Sequence, residues 1–171
     1  MDYFFSFNKM KYFKEKKPDG CILCLIHENS NEVENLTVYR DSLITISVNL
    51  YPYNPGHLLI FPNRHILDIR ELDDREESHL RKMTKICLTV LDNVFSPAAY
   101  NIGYNMGLEA GGSINHLHKH IIPRYPREIG IAELIGGKKI LVESPYETAT
   151  KLKKEFSSFL HQDSAAEENR D

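Results

Sequence analysis

The chain has 171 residues, 42% of them apolar and 26% charged, with a formal net charge of −3. That length is most simply one domain, able to bury about 70% of its unfolded surface without disulfides. The charge gives no electrostatic case for binding nucleic acid, and no apolar run approaches the roughly 20 residues that cross a bilayer.

Residues 1–20, aromatic and lysine-rich, read as an N-terminal arm. Their first residues lack the charged and apolar regions of a signal peptide, so a cytoplasmic location is expected. Cys21 and Cys24 form a C-x-x-C on a short helical turn, Cys21–His27. In a reducing compartment that pattern is metal-binding or redox-active. Thr37–Arg40 and Leu43–Val48 read as a hairpin around Asp41-Ser42. Tyr51-Pro52-Tyr53-Asn54-Pro55-Gly56 is a turn, because two prolines and a glycine exclude a ladder. His57–Phe61 reads as a buried strand.

Asp73–Phe95 is the strongest helix: Leu80, Met83, Cys87, Leu91 and Val94 recur at helical spacing, and Asp73 with Glu76 forms a capping-box pattern. Cys87 falls on its apolar face as a core residue. Tyr100–Asn105 predicts a strand, Met106–Ser113 a glycine turn, and His116–Ile122 another strand. Ile140–Val142 is one more candidate strand. A last helix is expected from Ser144-Pro145 to about Leu160, with 161–171 a disordered tail. Hairpins, one long helix and a terminal helix argue for α+β with a mainly antiparallel sheet over a single domain, 21–160.

His116, His118 and His120 alternate, which in an extended strand places all three imidazoles on one face. A glycine-rich turn, Gly111-Gly112-Ser113, precedes them. Three readings are open: a solvated polar face, a metal site of the HxH kind, or phosphate chemistry. In the last, one histidine attacks while its neighbours and backbone N–H groups hold anionic oxygens.

His116-Leu117-His118-Lys119-His120-Ile121-Ile122 resembles the signature of the histidine triad (HIT) family, His-φ-His-φ-His-φ-φ with φ apolar. Pro55-Gly56-His57-Leu58-Leu59-Ile60-Phe61-Pro62 is similar to the family's strand before the long helix, and Asn105 to His120 fits the family spacing without a gap. Val48-Asn49 followed by Pro55-Gly56-His57 resembles the fragile-histidine-triad branch. Met10-Lys11-Tyr12 before the C-x-x-C, and Gly111-Gly112-Ser113, are closer to diadenosine tetraphosphate phosphorylase-like members. Two positions depart from the pattern. Lys119 replaces an apolar φ residue and should point away from the histidines. Gly112 stands where many members carry glutamine; its own N–H, or that of Ser113, could approach a phosphate instead.

The resemblance implies a HIT-like five-stranded sheet with a long helix and a C-terminal helix. It implies a nucleotide hydrolase or nucleotidyltransferase acting at the α-phosphate of dinucleoside polyphosphates or nucleotide conjugates. His118 would be the nucleophile, forming a nucleotidyl-histidine, with a carbonyl of the glycine turn expected to hold its other ring nitrogen. His116, His120 and Ser113 would complete the catalytic group, Ser113 also serving the leaving group or simply the turn. Asn49 would bind ribose or act as a turn residue; Asn105, Gly111 and Gly112 would order the phosphate loop; Ile46 and Val48 would cover the base. A structural Zn²⁺ would be held by Cys21, Cys24, His65 and His116, the alternative being an apo thiol pair. His57 reads as structural, and His27, His79 and His161 as incidental. A homodimer is implied through a strand and the long helix, with Leu80, Met83 or Leu91 as contacts. A phosphorylase using inorganic phosphate and a low-turnover nucleotide-binding sensor are the alternatives.

Overall fold

The computed structural model describes residues 18–126 and 143–168. Its elements are α1 (Ile22–His27), β1 (Thr37–Arg40), β2 (Ile44–Val48), β3 (Leu58–Pro62), α2 (Asp74–Phe95), β4 (Ala99–Tyr104), β5 (Lys119–Arg124) and α3 (Pro145–Glu168). Short 3₁₀ turns lie at Ile69–Glu71 and Leu108–Ala110. The five strands form one sheet in the order β1-β2-β3-β5-β4, every pair antiparallel. The expected α+β class and antiparallel sheet are therefore observed. The candidate strand Ile140–Val142 and residues 1–17 of the arm lie outside the described residues. The backbone of α3 is helical through Glu168, into the segment from residue 161 that the sequence reads as a tail.

Strand alternation sorts the sheet's side chains onto two faces. Ile44, Ile46, Val48, Leu58, Ile60 and Ile121 pack against Leu80, Met83, Cys87, Val90 and Leu91 of α2 and Leu152 and Phe156 of α3, forming the main core. Burying each such side chain contributes about 1.5–3 kcal/mol. On the other face Leu59 and Phe61 pack against Leu23 and Ile26 of α1. The long helix thus covers one face, and α1 with the histidines occupies the other.

Helix α2 starts where the sequence places it. The Asp73 carboxylate accepts from the Glu76 N–H at 2.8 Å, and the Glu76 carboxylate accepts from the Asp73 N–H at 3.0 Å. These bonds satisfy donors that helix geometry leaves open. It ends at Ser96, whose left-handed conformation (φ 47°) closes the last turn. The Cys87 thiol is buried in the core, which pushes its pKa up. Leu80, Met83 and Leu91 are 2%, 2% and 0% exposed within one chain. They are core residues, which corrects their assignment as contacts with a second copy.

Candidate active site and metal centre

The three triad histidines do not share a strand. β5 begins at Lys119, so only His120 is a ladder residue, while His116 and His118 lie on irregular backbone before it. That shift gives the rings separate tasks. His116 turns its Nδ1 towards Cys21 Sγ at 3.4 Å and Cys24 Sγ at 3.5 Å. Its Nε2–H donates to the Pro62 carbonyl at 2.9 Å, which leaves Nδ1 with a free lone pair. His65 Nδ1 lies 3.4 Å from Cys24 Sγ, and all four donor atoms lie within 4.8 Å of one another. A tetrahedral ion about 2.3 Å from sulfur and about 2.0 Å from nitrogen separates neighbouring S and N ligands by roughly 3.5 Å. The four side chains fit such an ion. Burial, then the neighbouring Cys21 thiol, pushes the Cys24 thiol up to about 11.

Arg64, next to His65, holds this loop. Its guanidinium donates to both carboxylate oxygens of Glu76, at 3.2 and 2.8 Å, and to the Glu71 carbonyl at 2.6 Å. The residue that caps α2 therefore also anchors the segment carrying His65. No sequence motif signals this role.

His118 is buried, and its Nδ1–H donates to the backbone carbonyl of His116 at 2.6 Å. This corrects the expectation that the glycine turn supplies the acceptor. The bond fixes the tautomer and leaves Nε2 with the lone pair. Burial lowers the pKa of the ring, so the neutral, nucleophilic form prevails at neutral pH.

His120 stands beside it, ring centroids 4.8 Å apart. On its other side is His57, which is fully buried. The Tyr53 N–H donates to His57 Nδ1 at 3.2 Å, with Asn49 Nδ2 at 3.3 Å from the same atom. His57 Nδ1 is then an acceptor and Nε2 carries the proton, facing His120 Nδ1 at 3.0 Å. His120 accepts there, so its own proton sits on Nε2. Burial pushes His57 down to about 3 and His120 to about 4, with the neighbouring rings adding to each shift. The sequence reading of His57 as merely structural missed this partnership. The available signal was strand parity, since His57, Leu59 and Phe61 share one face.

The remaining predicted residues divide. Asn49 is engaged in the turn: its side-chain oxygen accepts from the Tyr51 N–H at 3.0 Å. Ser113 is exposed, and its groups bond to no partner among the described residues. Gly111 adopts φ +83°, a conformation that favours glycine. A Cβ on Gly112 would come within 2.7 Å of the Asn105 carbonyl oxygen and 2.9 Å of that of Gly107. A side chain at this position would require the loop backbone to shift. The Gly112 N–H already donates to Gly107 O at 3.0 Å, so it is not the free phosphate donor anticipated. Ile46 and Val48 belong to the core under α2, on the face away from the histidines, which corrects their role as cover for the base. Lys119 points away from the triad as expected, donating to Thr84 Oγ1 at 3.2 Å. His79 and His27 are not incidental: His79 Nε2 lies 2.6 Å from Asp41 Oδ2, and His27 Nδ1 lies 3.1 Å from Thr45 Oγ1. His27 ties α1 to β2, and His79 ties α2 to the turn between β1 and β2.

An antiparallel five-stranded sheet carrying a metal-competent Cys₂His₂ cluster beside a tautomer-locked histidine pair defines a histidine triad protein. The HIT domain family matches residues 30–127, and the chain belongs to that family. It is 37% identical over 128 residues to a Mycobacterium tuberculosis protein named AP-4-A phosphorylase, covering 74% of this chain and 66% of the relative. It is 36% identical over 97 residues to a Schizosaccharomyces pombe protein named bis(5'-nucleosyl)-tetraphosphatase (asymmetrical), covering 57% of this chain and 53% of that one. The chain thus spans just under two thirds, or about half, of the length of these relatives. Among solved structures, a hypothetical histidine triad nucleotide-binding protein from Sulfolobus tokodaii superposes with a TM-score of 0.66 at 25% identity, over 81% of this chain and 93% of that one.

Proposed function

We propose that the protein is a nucleotidyl-transferring enzyme that cleaves dinucleoside polyphosphates, of the diadenosine tetraphosphate kind, at the α-phosphate. The observation that carries this reading is the bond from His118 Nδ1–H to the His116 carbonyl, which leaves a neutral Nε2 as nucleophile. That lone pair attacks the α-phosphorus, a P–N bond forms, and the P–O bond to the polyphosphate breaks. The ring becomes cationic, and the His116 carbonyl stabilises it. The His120 Nε2–H and the N–H and hydroxyl of Ser113 serve the phosphate oxygens and the leaving group. Water or inorganic phosphate then attacks phosphorus, the P–N bond breaks, and His118 is regenerated. Asn49 and Asn105 contribute ribose and phosphate-loop contacts. The names of the mycobacterial and fission-yeast relatives support phosphorolysis and hydrolysis respectively.

In the same reading, one structural Zn²⁺ is bound by Cys21, Cys24, His65 and His116 and pins α1 to the active-site loop. A second copy pairs along the edge strand β4, where Ile102 is 46% exposed. Among the described residues no helix is long and apolar enough to cross a membrane, and a C-x-x-C that holds zinc without forming a disulfide suits a reducing, cytoplasmic setting.

The test is incubation with diadenosine tetraphosphate, with and without phosphate, and resolution of the products. ADP with ATP, only when phosphate is present, identifies a phosphorylase; AMP with ATP identifies a hydrolase acting at the α-phosphate, whereas ADP alone means cleavage at a β-phosphate and overturns the proposal. No products and no labelled His118 would overturn the proposal.

A further inference from the structure

His57 carries no chemistry of its own in the proposed reaction, yet it is fully buried and spans the gap between His120 and the Tyr51–Gly56 turn. An imidazole in that position can carry its proton on either nitrogen. With the proton on Nε2, His57 donates to His120 and leaves His120 with an outward Nε2–H. With the proton on Nδ1, His57 Nε2 becomes an acceptor, His120 must donate from Nδ1, and its Nε2 faces the substrate as a bare lone pair that repels phosphate oxygen. The choice of tautomer at His57 therefore decides whether His120 can serve an anion.

Tyr53 touches His57 twice. Its backbone N–H donates to Nδ1 at 3.2 Å, which selects the tautomer with the proton on Nε2. Its phenol ring stacks on the imidazole, centroids 5.4 Å apart and planes 16° from parallel. The Tyr53 side chain is 47% exposed while His57 beneath it is not exposed at all, so the tyrosine spends its apolar surface as a cover over the histidine. The turn makes this possible. The His57 N–H donates to the Asn54 carbonyl at 3.2 Å, and buried Asn54 donates to the Pro123 carbonyl on β5 at 2.6 Å, so the loop that presents Tyr53 is fastened to the catalytic strand.

We infer that Tyr53 is a positioning residue: its ring covers the imidazole and keeps water from competing with the Tyr53 N–H and Asn49 Nδ2 at His57 Nδ1, and so holds His57 in the single tautomer that aims Nε2–H at His120. The inference rests on the reading of His118 and His120 as a phosphate-handling pair, but its structural half can be tested without turnover.

The experiment uses the full chain labelled with ¹⁵N-histidine, as wild type, Tyr53→Ala and Tyr53→Phe. Imidazole ¹⁵N spectra show which nitrogen of His57 and His120 bears the proton. Initial rates on diadenosine tetraphosphate give kcat and KM for the same samples. The wild type should show both rings protonated on Nε2. Tyr53→Phe should match it in spectrum and rate. Tyr53→Ala should show His57 exchanging between tautomers and kcat lowered by roughly ten- to a hundredfold, the cost of a misplaced catalytic group, with KM within about twofold. A wild-type His57 protonated on Nδ1 overturns the inference before any variant is made. A Tyr53→Ala protein with wild-type spectra overturns it too, as does one whose KM rises at constant kcat, which makes the ring a substrate contact. Wild-type spectra as expected with no turnover of any nucleotide would defeat the proposed function and leave the positioning of His57 standing.

Discussion

His116 serves the site with two different groups. Its ring faces the thiols of Cys21 and Cys24, while its backbone carbonyl accepts the Nδ1–H of His118 at 2.6 Å. The metal cluster and the nucleophile are thus built on one residue, and an ion that fixes the His116 ring also fixes the carbonyl that sets the His118 tautomer.

Replacing His118 removes the nucleophile and little else. His118→Ala should lower turnover of diadenosine tetraphosphate by at least a thousandfold, while nucleotide binding measured by calorimetry stays within about threefold, because binding draws on ribose, base and phosphate contacts. Turnover within tenfold of wild type would sink the covalent mechanism.

Protein purified without chelator should contain one zinc per chain by elemental analysis. Cys24→Ser should lose the metal and melt at a lower temperature, since ion binding contributes to folding. The loss should also reach the active site through the His116 carbonyl, lowering kcat in the folded variant. A metal-free wild type of full stability is the contrary result.

Gly112 is a packing requirement. Gly112→Ala places a methyl group 2.7 Å from the Asn105 carbonyl oxygen, which the loop must move to admit. The expected cost is about 1–3 kcal/mol in urea unfolding, with a loss of activity as the neighbouring Ser113 shifts. An unchanged unfolding midpoint would show that the loop yields freely.

Acid should destabilise the fold through the buried histidine pair. His57 and His120 have folded pKa values pushed down from 6.5 to about 3 and about 4. The unfolded chain therefore binds protons that the native state refuses. This stability is fully present above about pH 6.5 and falls as pH drops towards 4, by up to about 1.4 kcal/mol per pH unit for each ring. Urea midpoints of wild type and His57→Gln between pH 7.5 and 5 report the difference, and the variant should show the shallower slope. Parallel slopes would contradict the assignment.

The chain should be a dimer of about twice 19.8 kDa by light scattering. β4 is an edge strand, and edges are normally covered or blunted. Ile102→Glu should give monomers, because it puts a charge on the exposed apolar side chain of that edge. A wild type that is monomeric at every concentration would exclude this arrangement.

Much was legible before any coordinates. The capping box at Asp73 and Glu76, the helix it opens, the hairpin around Asp41 and the Cys₂His₂ set are patterns of residue type at short or recognisable spacing, and each is determined locally or by the family motif. What the tertiary structure decided is which face meets what. Ile46 and Val48 alternate as strand residues should, but only the docking of α2 shows that their face is the core. Leu80, Met83 and Leu91 form an apolar stripe whose single use, burial against the sheet, depends on the combined cover of α2 and α3. His57 and His120, 63 residues apart, meet only because β3 pairs with β5 in a register that sets Leu59 opposite His120. Periodicity fixes the angle at which a side chain leaves its own element. Strand pairing and helix docking then choose its partner, and hydrogen-bond direction, hence tautomer and chemistry, follows from the partner.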